Sequence, residues 1–252
     1  MNVRSIRVAV AGARGKMGTT AIGALRAAEG IEYVGGLVRD RPAAGEFDDV
    51  GRLFGAAKPD VIVDFTHFPD SKQIALAAME AGVRPVIGTS GYGAQDVDDL
   101  RRASERTGTG CVFAPNFGIG AVLMMKYAAD AARHFTQVEI VEMHETGKKD
   151  APSGTAMATA RRMAAVGSFT RPATPAVKAE GARGAEHSGI GIHSLRLPGV
   201  VAHQEVIFGA DGETLRIVHD STSRSAFMTG MLLAVRAARD LTTFVDGLEH
   251  VL

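Results

Sequence analysis

The chain has 252 residues, 46% of them apolar and 22% charged, which fits a folded protein with one or two cores and excludes a disordered one. Lysine plus arginine equals aspartate plus glutamate at 28 each, so no net field attracts nucleic acid or an anionic membrane, and any anion recognition must be local. Cys111 is the single cysteine, which excludes an intrachain disulfide and argues against a thiolate metal cluster. The opening MNVRSIRVAVAGARG has a short strand-like run and then glycines, unlike a secretory signal. No apolar run approaches the roughly 20 residues that span a bilayer. A cytoplasmic protein with neither a membrane nor a nucleic-acid partner is expected.

IRVAVAG (6–12) is an apolar run of strand length, followed by a glycine turn and a helix with Met17, Ala21, Ile22, Leu25 and Ala28 on one face, closed by Gly30. EYVGGLV (32–38) and VIVDFT (61–66) are the next strands, the latter leading into a helix over SKQIALAAMEAG (71–82). RPVIGTS (84–90) and GCVFAPN (110–116) follow, separated by the charged helix QDVDDLRRASERTG (95–108). This alternation predicts an α/β fold whose first domain, 1–116, is a Rossmann-like doubly wound parallel sheet.

The pattern then changes. A helix (121–134) leads into QVEIVEMHE, a helix starts at Gly154, and a glycine-, proline- and charge-rich loop fills 167–188. Three strand-like runs come next, GIHSLRLPG, VVAHQEVIFGA and ETLRIVHDS, the last two joined by the hairpin signal Ala-Asp-Gly-Glu. Strands without intervening helices predict a second α+β domain, 117–224, on an antiparallel or mixed sheet. The final segment, 225–252, with a helix over 225–241, is expected to pack back on the first domain.

Gly12, Gly15 and Gly18 in AGARGKMG follow a G-x-x-G-x-x-G spacing between the first strand and the first helix. A tight turn that brings backbone amides and a helix N-terminus to one point suits a pyrophosphate. The same glycines also serve a purely structural turn, but the strand–turn–helix context favours a dinucleotide. The second strand ends in Leu37-Val38-Arg39-Asp40-Arg41. Two arginines suit the extra phosphate of NADPH, Asp40 would serve NADH, and a solvated loop contacting nothing is the third possibility. The balance leans to NADPH. DFTHFPD (64–70) offers Thr66 to a cofactor; His67 alone reads as a solvated or structural residue. GTSGY (88–92) and APNFG (114–118) sit at strand carboxyl ends, where parallel sheets meet ligands, or are simple turns.

The densest chemistry lies in VEMHETGKKDAPSGTAMATA (141–160). Ser153 is a natural N-cap, so Gly154, Thr155 and Ala156 form a first helical turn with unpaired amides. Such a tip attracts a carboxylate or phosphate, contributing roughly 0.3–1 kcal/mol through the dipole. Thr155 adds a hydroxyl, Lys148 and Lys149 add charge, and His144 adds a second protonatable group. An anion site beside a proton donor is what reduction of a C=N or C=C bond requires. The competing reading is a capped helix behind a solvated charged loop. His187, His193, His203 and His219 lie on separate segments with no ligand spacing, and no metal site is expected.

VAVAGARGKMG, VDFTHFPD, IGTSGY, APNFGIGAVLMM and above all EMHETGKKDAPSGTA resemble the 4-hydroxy-tetrahydrodipicolinate reductase family, and LPGVVAHQEVIFGADGETLRIVHDSTSR resembles its C-terminal strands. The resemblance spans essentially the whole chain. It implies an NAD(P)H-dependent oxidoreductase of the diaminopimelate route to lysine, cytoplasmic and homotetrameric, acting on a small dicarboxylate, with 117–224 as the substrate-binding and oligomerisation domain. By position it implies cofactor contacts at Gly12, Ala13, Arg14, Gly15, Lys16 and Met17, at Arg39, at Gly88, Thr89 and Ser90, and at Ala114, Pro115, Asn116 and Phe117. It implies His144 and Lys148 as catalytic residues and Gly154 and Thr155, next to Ser153, as a carboxylate site.

Two positions depart from the family pattern. Val38 stands where an acidic residue is common, which weakens NADH recognition. Glu145 stands where the family has a second, substrate-contacting histidine. An ionised glutamate about 5 Å from a substrate carboxylate would cost about 3 kcal/mol at an effective dielectric near 20. Glu145 therefore turns outward, pairs with a cation such as Lys149, or marks a family member that reduces a different imine or carbonyl compound.

Overall fold

The computed structural model describes residues 4–252. In chain order its elements are β1 (Ile6–Ala11), α1 (Lys16–Ala27), β2 (Ile31–Leu37), β3 (Glu46–Phe47), α2 (Val50–Ala57), β4 (Val61–Asp64), α3 (Asp70–Glu80), β5 (Arg84–Ile87), α4 (Ala94–Thr107) and β6 (Cys111–Phe113). There follow α5 (Ile119–Ala131), β7 (Gln137–His144), α6 (Gly154–Ala164), β8 (Ala185–His187), β9 (Ile190–Arg196), β10 (Ala202–Ala210), β11 (Glu213–Ser221), α7 (Ala226–Ala238), β12 (Phe244–Asp246) and a 3-10 turn over Leu248–His250. The chain divides into two compact units: one of residues up to Ile119 with Arg224–Leu252, the other Gly120–Ser223.

The first unit is a Rossmann-like parallel sheet in the order β12-β6-β5-β4-β1-β2-β3. Its central strands are apolar at every position because both faces are covered. Ala9, Ala11 and Ile62 point toward α2 and α3 and cluster with Leu53, Ile74 and Ala78. Val8, Val10, Val61 and Val63, all fully buried, serve the opposite face, where α1 and α7 pack together. Strand order reverses between β1 and β4, the position at which open α/β sheets hold ligands.

The second unit is a mixed five-stranded sheet, order β11-β10-β7-β9-β8, in which only β7 and β9 run parallel. Val138, Ile140, Val206, Phe208, Ile190 and Ile192 form one face, against Ala156, Ala160 and Met163 of α6 and Ala128 and Ala132 at the end of α5. This matches the α+β fold on a mixed sheet read from the sequence.

Local differences from expectation have physical causes. The loop expected over 167–188 contains β8, which turns into β9 through Ser188 (φ 53°) and Gly189 (φ 80°). Two consecutive positive φ angles make the tight hairpin turn that fits strand twist. The segment 46–57, unassigned in the sequence reading, holds β3 and α2, the latter started by Asp49 accepting from the Arg52 amide at 2.8 Å. The expected strand 61–66 stops at Asp64, whose carboxylate captures the Thr66 amide at 3.2 Å. The last helix ends at Ala238 rather than 241, because the Leu241 carbonyl accepts from the Gly110 amide and from Arg84 Nε. That lays the chain along β6 as β12. Among the described residues no helix is long and apolar enough to cross a membrane, and no group of three or more His, Cys, Asp or Glu side chains is placed to hold a metal.

Candidate active site

In the first unit, the turn after β1 is built by steric exclusion. Gly12 has φ 76°, and a Cβ there would lie 2.8 Å from the Phe65 carbonyl oxygen. A Cβ on Gly18 would stand 2.1 Å from the Gly12 oxygen. The Gly12 and Ala13 amides donate to the Leu37 carbonyl, at 3.1 and 3.3 Å, which fastens the turn to the end of β2. Gly15 is the N-cap of α1 and, lacking a side chain, caps none of its first-turn amides. Those donors lack a side-chain cap and lie at the positive end of the helix dipole, an arrangement suited to an anion.

The other cofactor candidates of this unit gather at the carboxyl ends of β4, β5 and β6. Asp64, buried at the tip of β4, organises them. It accepts from the Thr66 hydroxyl at 2.5 Å, the Ser71 hydroxyl at 2.5 Å and the Thr89 hydroxyl at 2.6 Å. Thr89 also reaches the Thr66 carbonyl at 3.0 Å, and Ser71 pairs with the Tyr92 hydroxyl. The two threonines thus lend their hydroxyls to the scaffold. Burial pushes the Tyr92 hydroxyl well above its ordinary pKa, so it stays protonated in this cluster. Gly88 leaves room for two rings: a Cβ there would fall 2.6 Å from Phe117 and 2.8 Å from Phe65, which themselves meet edge to face at 5.8 Å. Ala114 donates to the Ile87 carbonyl at 2.9 Å, and Asn116 accepts from the Gly118 amide at 2.8 Å in an Asx turn. Lys16, Ser90 and Pro115 are exposed, and Met17 is half-buried.

At the end of β2, Val38 is buried while Arg39, Asp40 and Arg41 are exposed. The Arg14 guanidinium is engaged: it pairs with both carboxylate oxygens of Glu46 and donates to the Asp40 and Arg41 carbonyls, at 3.3 and 2.8 Å. Glu46 in turn accepts from the Ala43 amide. The hydrogen bond from Arg14 holds the Glu46 carboxyl below its ordinary pKa. Arg14 is therefore a clamp across the turn, with only its backbone at the helix tip.

In the second unit, β7, the loop after it and α6 bring together the residues predicted for chemistry. Val138, Ile140 and Glu142 alternate inward on β7, and Glu142 is wholly buried. Its Oε2 accepts from His144 Nδ1 at 2.6 Å and Arg196 Nη1 at 3.0 Å, and its Oε1 accepts from Arg196 Nη2 at 2.8 Å and the Ser153 amide at 3.2 Å. Burial raises the pKa of this carboxyl, but the bonds from Arg196, Ser194 and His144 outweigh burial and hold it below the ordinary value. His144 keeps part of its ring exposed. The Lys148 ammonium pairs with Asp150 at 2.8 Å and holds that carboxyl below its usual range.

Ser153 is the N-cap of α6, but its hydroxyl accepts from the Ala156 amide at 3.1 Å. The expectation of three unpaired amides is corrected on this point: Ala156 is satisfied by the cap itself, and buried Ser153 acts as scaffold. Gly154 is exposed, with open space where a Cβ would stand, and Thr155 is half-buried beside it. Glu145 is exposed, its carbonyl accepting from the Lys148 amide at 3.1 Å. Sequence reasoning missed Asp64, Glu142 and Arg196. A signal existed for the acids, because each is a carboxylate at a core position of an apolar strand, which demands buried partners.

An uncapped helix tip at the switch point of a parallel sheet, with a second unit carrying a histidine, a lysine and a helix that starts at an exposed glycine, defines a dinucleotide-dependent oxidoreductase. The family model for the dihydrodipicolinate reductase N-terminus matches residues 6–117, and that for the C-terminus matches 120–252. The chain belongs to the dihydrodipicolinate reductase family. It is 45% identical to a Geobacillus kaustophilus protein named 4-hydroxy-tetrahydrodipicolinate reductase, over 98% of this chain and 99% of that one. It is also 45% identical to a protein of the same name from Moorella thermoacetica, over 99% of both. A solved structure of dipicolinate-bound dihydrodipicolinate reductase from Paenisporosarcina sp. TG-14 superposes with a TM-score of 0.89 at 39% identity, covering 98% of this chain and 100% of that one.

Proposed function

We propose that this chain catalyses the NAD(P)H-dependent reduction of 4-hydroxy-tetrahydrodipicolinate to tetrahydrodipicolinate, a step of the diaminopimelate route to lysine. The observation that carries the reading is the end-to-end match to relatives of that name. The chemistry balances simply. Loss of water from the substrate gives a conjugated cyclic imine, NAD(P)H adds hydride, and His144 or Lys148 supplies the proton, so each turnover consumes one reduced cofactor and one proton and releases one water. The first unit binds the hydride donor through the turn from Gly12 to Met17, with Thr66, Gly88 to Ser90 and Ala114 to Phe117 around it. The second supplies the anion site at Gly154 and Thr155. Dipicolinate, the ligand of the Paenisporosarcina enzyme, is a planar dicarboxylate and suits a site of this kind. A spectrophotometric assay with enzymatically generated substrate tests the reading; no oxidation of either NADPH or NADH at millimolar substrate would end it.

Glu145 is exposed, and the end-to-end match is to relatives named for reduction of the usual dicarboxylate, which supports that substrate over a different one. Glu145→Gln is expected to leave KM for the dicarboxylate within about threefold of wild type, because a charge at an exposed position is screened at an effective dielectric far above the protein interior. A fall in KM of a hundredfold would mean instead that the carboxylate faces the substrate.

The reading favours NADPH over NADH. Arg39 and Arg41 are exposed at the end of β2, Val38 offers no carboxylate to a ribose, and the charge of Glu46 is matched by Arg14. A charge-assisted bond from arginine to phosphate is worth roughly 1.5–3 kcal/mol. Arg39→Ala is therefore expected to raise KM for NADPH by about ten- to a hundredfold and to leave that for NADH unchanged. Equal effects on both would assign Arg39 elsewhere. A cytoplasmic homotetramer completes the proposal. Self-association is supported by β11, a nine-residue edge strand that exposes Leu215 and Val218, since edges of this length are normally covered. Light scattering behind a sizing column should give four times the chain mass.

A further inference from the structure

We infer that Glu142, neutralised by Arg196, is a positioning residue for the reaction, fixing which nitrogen of His144 exchanges the proton and holding the loop that carries the anion site. The inference rests on the reductase reading above and deepens it.

The cost of the arrangement is the first argument. Glu142 occupies a core position on β7, in line with Val138 and Ile140, and has no exposed surface. Burying an ion pair costs several kcal/mol per ion before attraction, and apolar residues of equal volume commonly serve stability as well or better. A carboxylate kept there, with its acceptor sites filled by Arg196, Ser153, Ser194 and His144, does something that packing would not.

What it does follows from the partners. Register places Glu142 opposite Ser194 and His144 opposite Arg196 on β9, so the guanidinium reaches back to the carboxylate with both terminal nitrogens. Arg196 Nη2 also donates to the Asp150 carbonyl at 2.8 Å. The pair thereby grips the charged loop at two points, the Asp150 carbonyl and the Ser153 amide, directly before the exposed Gly154 tip. Toward His144, an acceptor-only carboxylate at 2.6 Å requires that Nδ1 carry a hydrogen. The neutral ring is then held as the Nδ1–H tautomer, leaving the Nε2 lone pair for the exchangeable proton. Fixing tautomer and ring plane in this way separates a usable acid–base group from a merely nearby one.

Glu142→Gln tests this with little change of shape. The one remaining oxygen keeps Arg196 Nη2 and the Ser153 amide. The carboxamide nitrogen then falls where Oε2 stood and donates to His144 Nδ1, and Arg196 Nη1 retains the Leu195 carbonyl at 2.6 Å. The expected result is inversion of the tautomer to Nε2–H, read from the ring nitrogen shifts of His144 by NMR. With it kcat falls by about 10²–10⁴, while KM for NADPH and for the dicarboxylate stays within about threefold. Glu142→Asp, which restores an acceptor-only group, should return the wild-type tautomer and part of kcat. An active wild type with the Nε2–H tautomer overturns the inference without any variant, as does a Glu142→Gln enzyme keeping more than a tenth of wild-type kcat. A wild type that turns over no dicarboxylate substrate overturns the reductase reading itself, a separate failure visible before any substitution is made.

Discussion

Lys148→Ala is expected to reduce kcat by about 10²–10⁴, the range a positioned proton donor supplies, and to raise KM for the dicarboxylate as well. The fold should not notice. The only partner described for the Lys148 ammonium is Asp150, whose side chain is largely exposed, and such pairs contribute about 0–1 kcal/mol. Melting temperature should therefore move by no more than a few degrees, given about 2–4 °C per kcal/mol for a chain near this size. The measurement is steady-state kinetics in the coupled assay beside a calorimetric scan. If kcat falls less than tenfold, the proton comes from elsewhere, and His144 is the next group to replace. A large fall in melting temperature would show that the Lys148–Asp150 pair holds the loop rather than serving the chemistry.

The second large effect is steric. Gly18→Ala and Gly23→Ala introduce the same methyl group into α1, five residues apart on one helix, and their effects should have opposite signs. At Gly18 the new carbon would stand 2.1 Å from the Gly12 carbonyl oxygen and 2.9 Å from its carbon, both backbone atoms of the turn after β1. Something must shift, and overpacking of this severity costs roughly 3 kcal/mol. Because the turn is what moves, the affinity for NADPH should fall with the stability. At Gly23 nothing lies within 4 Å, so alanine only removes the helix-interior penalty of glycine and stabilises by about 0.5–1 kcal/mol. Thermal melts and cofactor titration by fluorescence check both. If the Gly18 variant binds NADPH as wild type does, the close approach of turn and helix is not what forms the cofactor site.

The sequence carried the parts of this protein that depend on short-range pattern. Apolar runs of strand length alternating with helices placed β1, β4, β5 and β6 with their helices, because strands buried on both faces read as continuous apolar segments. Ser153 before an alanine-rich helix marked the cap, and a glycine spacing marked the turn after β1, since both features are local demands of backbone geometry. Short elements escaped. β3, β8 and β12 have two or three residues each, too few to show a period, and exist because a neighbouring strand offers its edge.

Which side chains meet was only partly legible. His144, Lys148, Ser153 and Gly154 sit within one stretch of chain, so their association could be read directly from sequence. Asp64 with Thr89, Glu142 with Arg196 and Arg14 with Glu46 are separated by 25, 54 and 32 positions. No local preference encodes such meetings; they follow from strand register and from which strands become neighbours. By itself, then, the sequence determined the two kinds of sheet, the helix tips and the candidate residues along one stretch of chain, because each of these is decided within a turn or a strand. The tertiary structure alone decided that buried carboxylates from distant segments fix those residues in place, because an ion enters a core only where packing has already assembled the donors that match it.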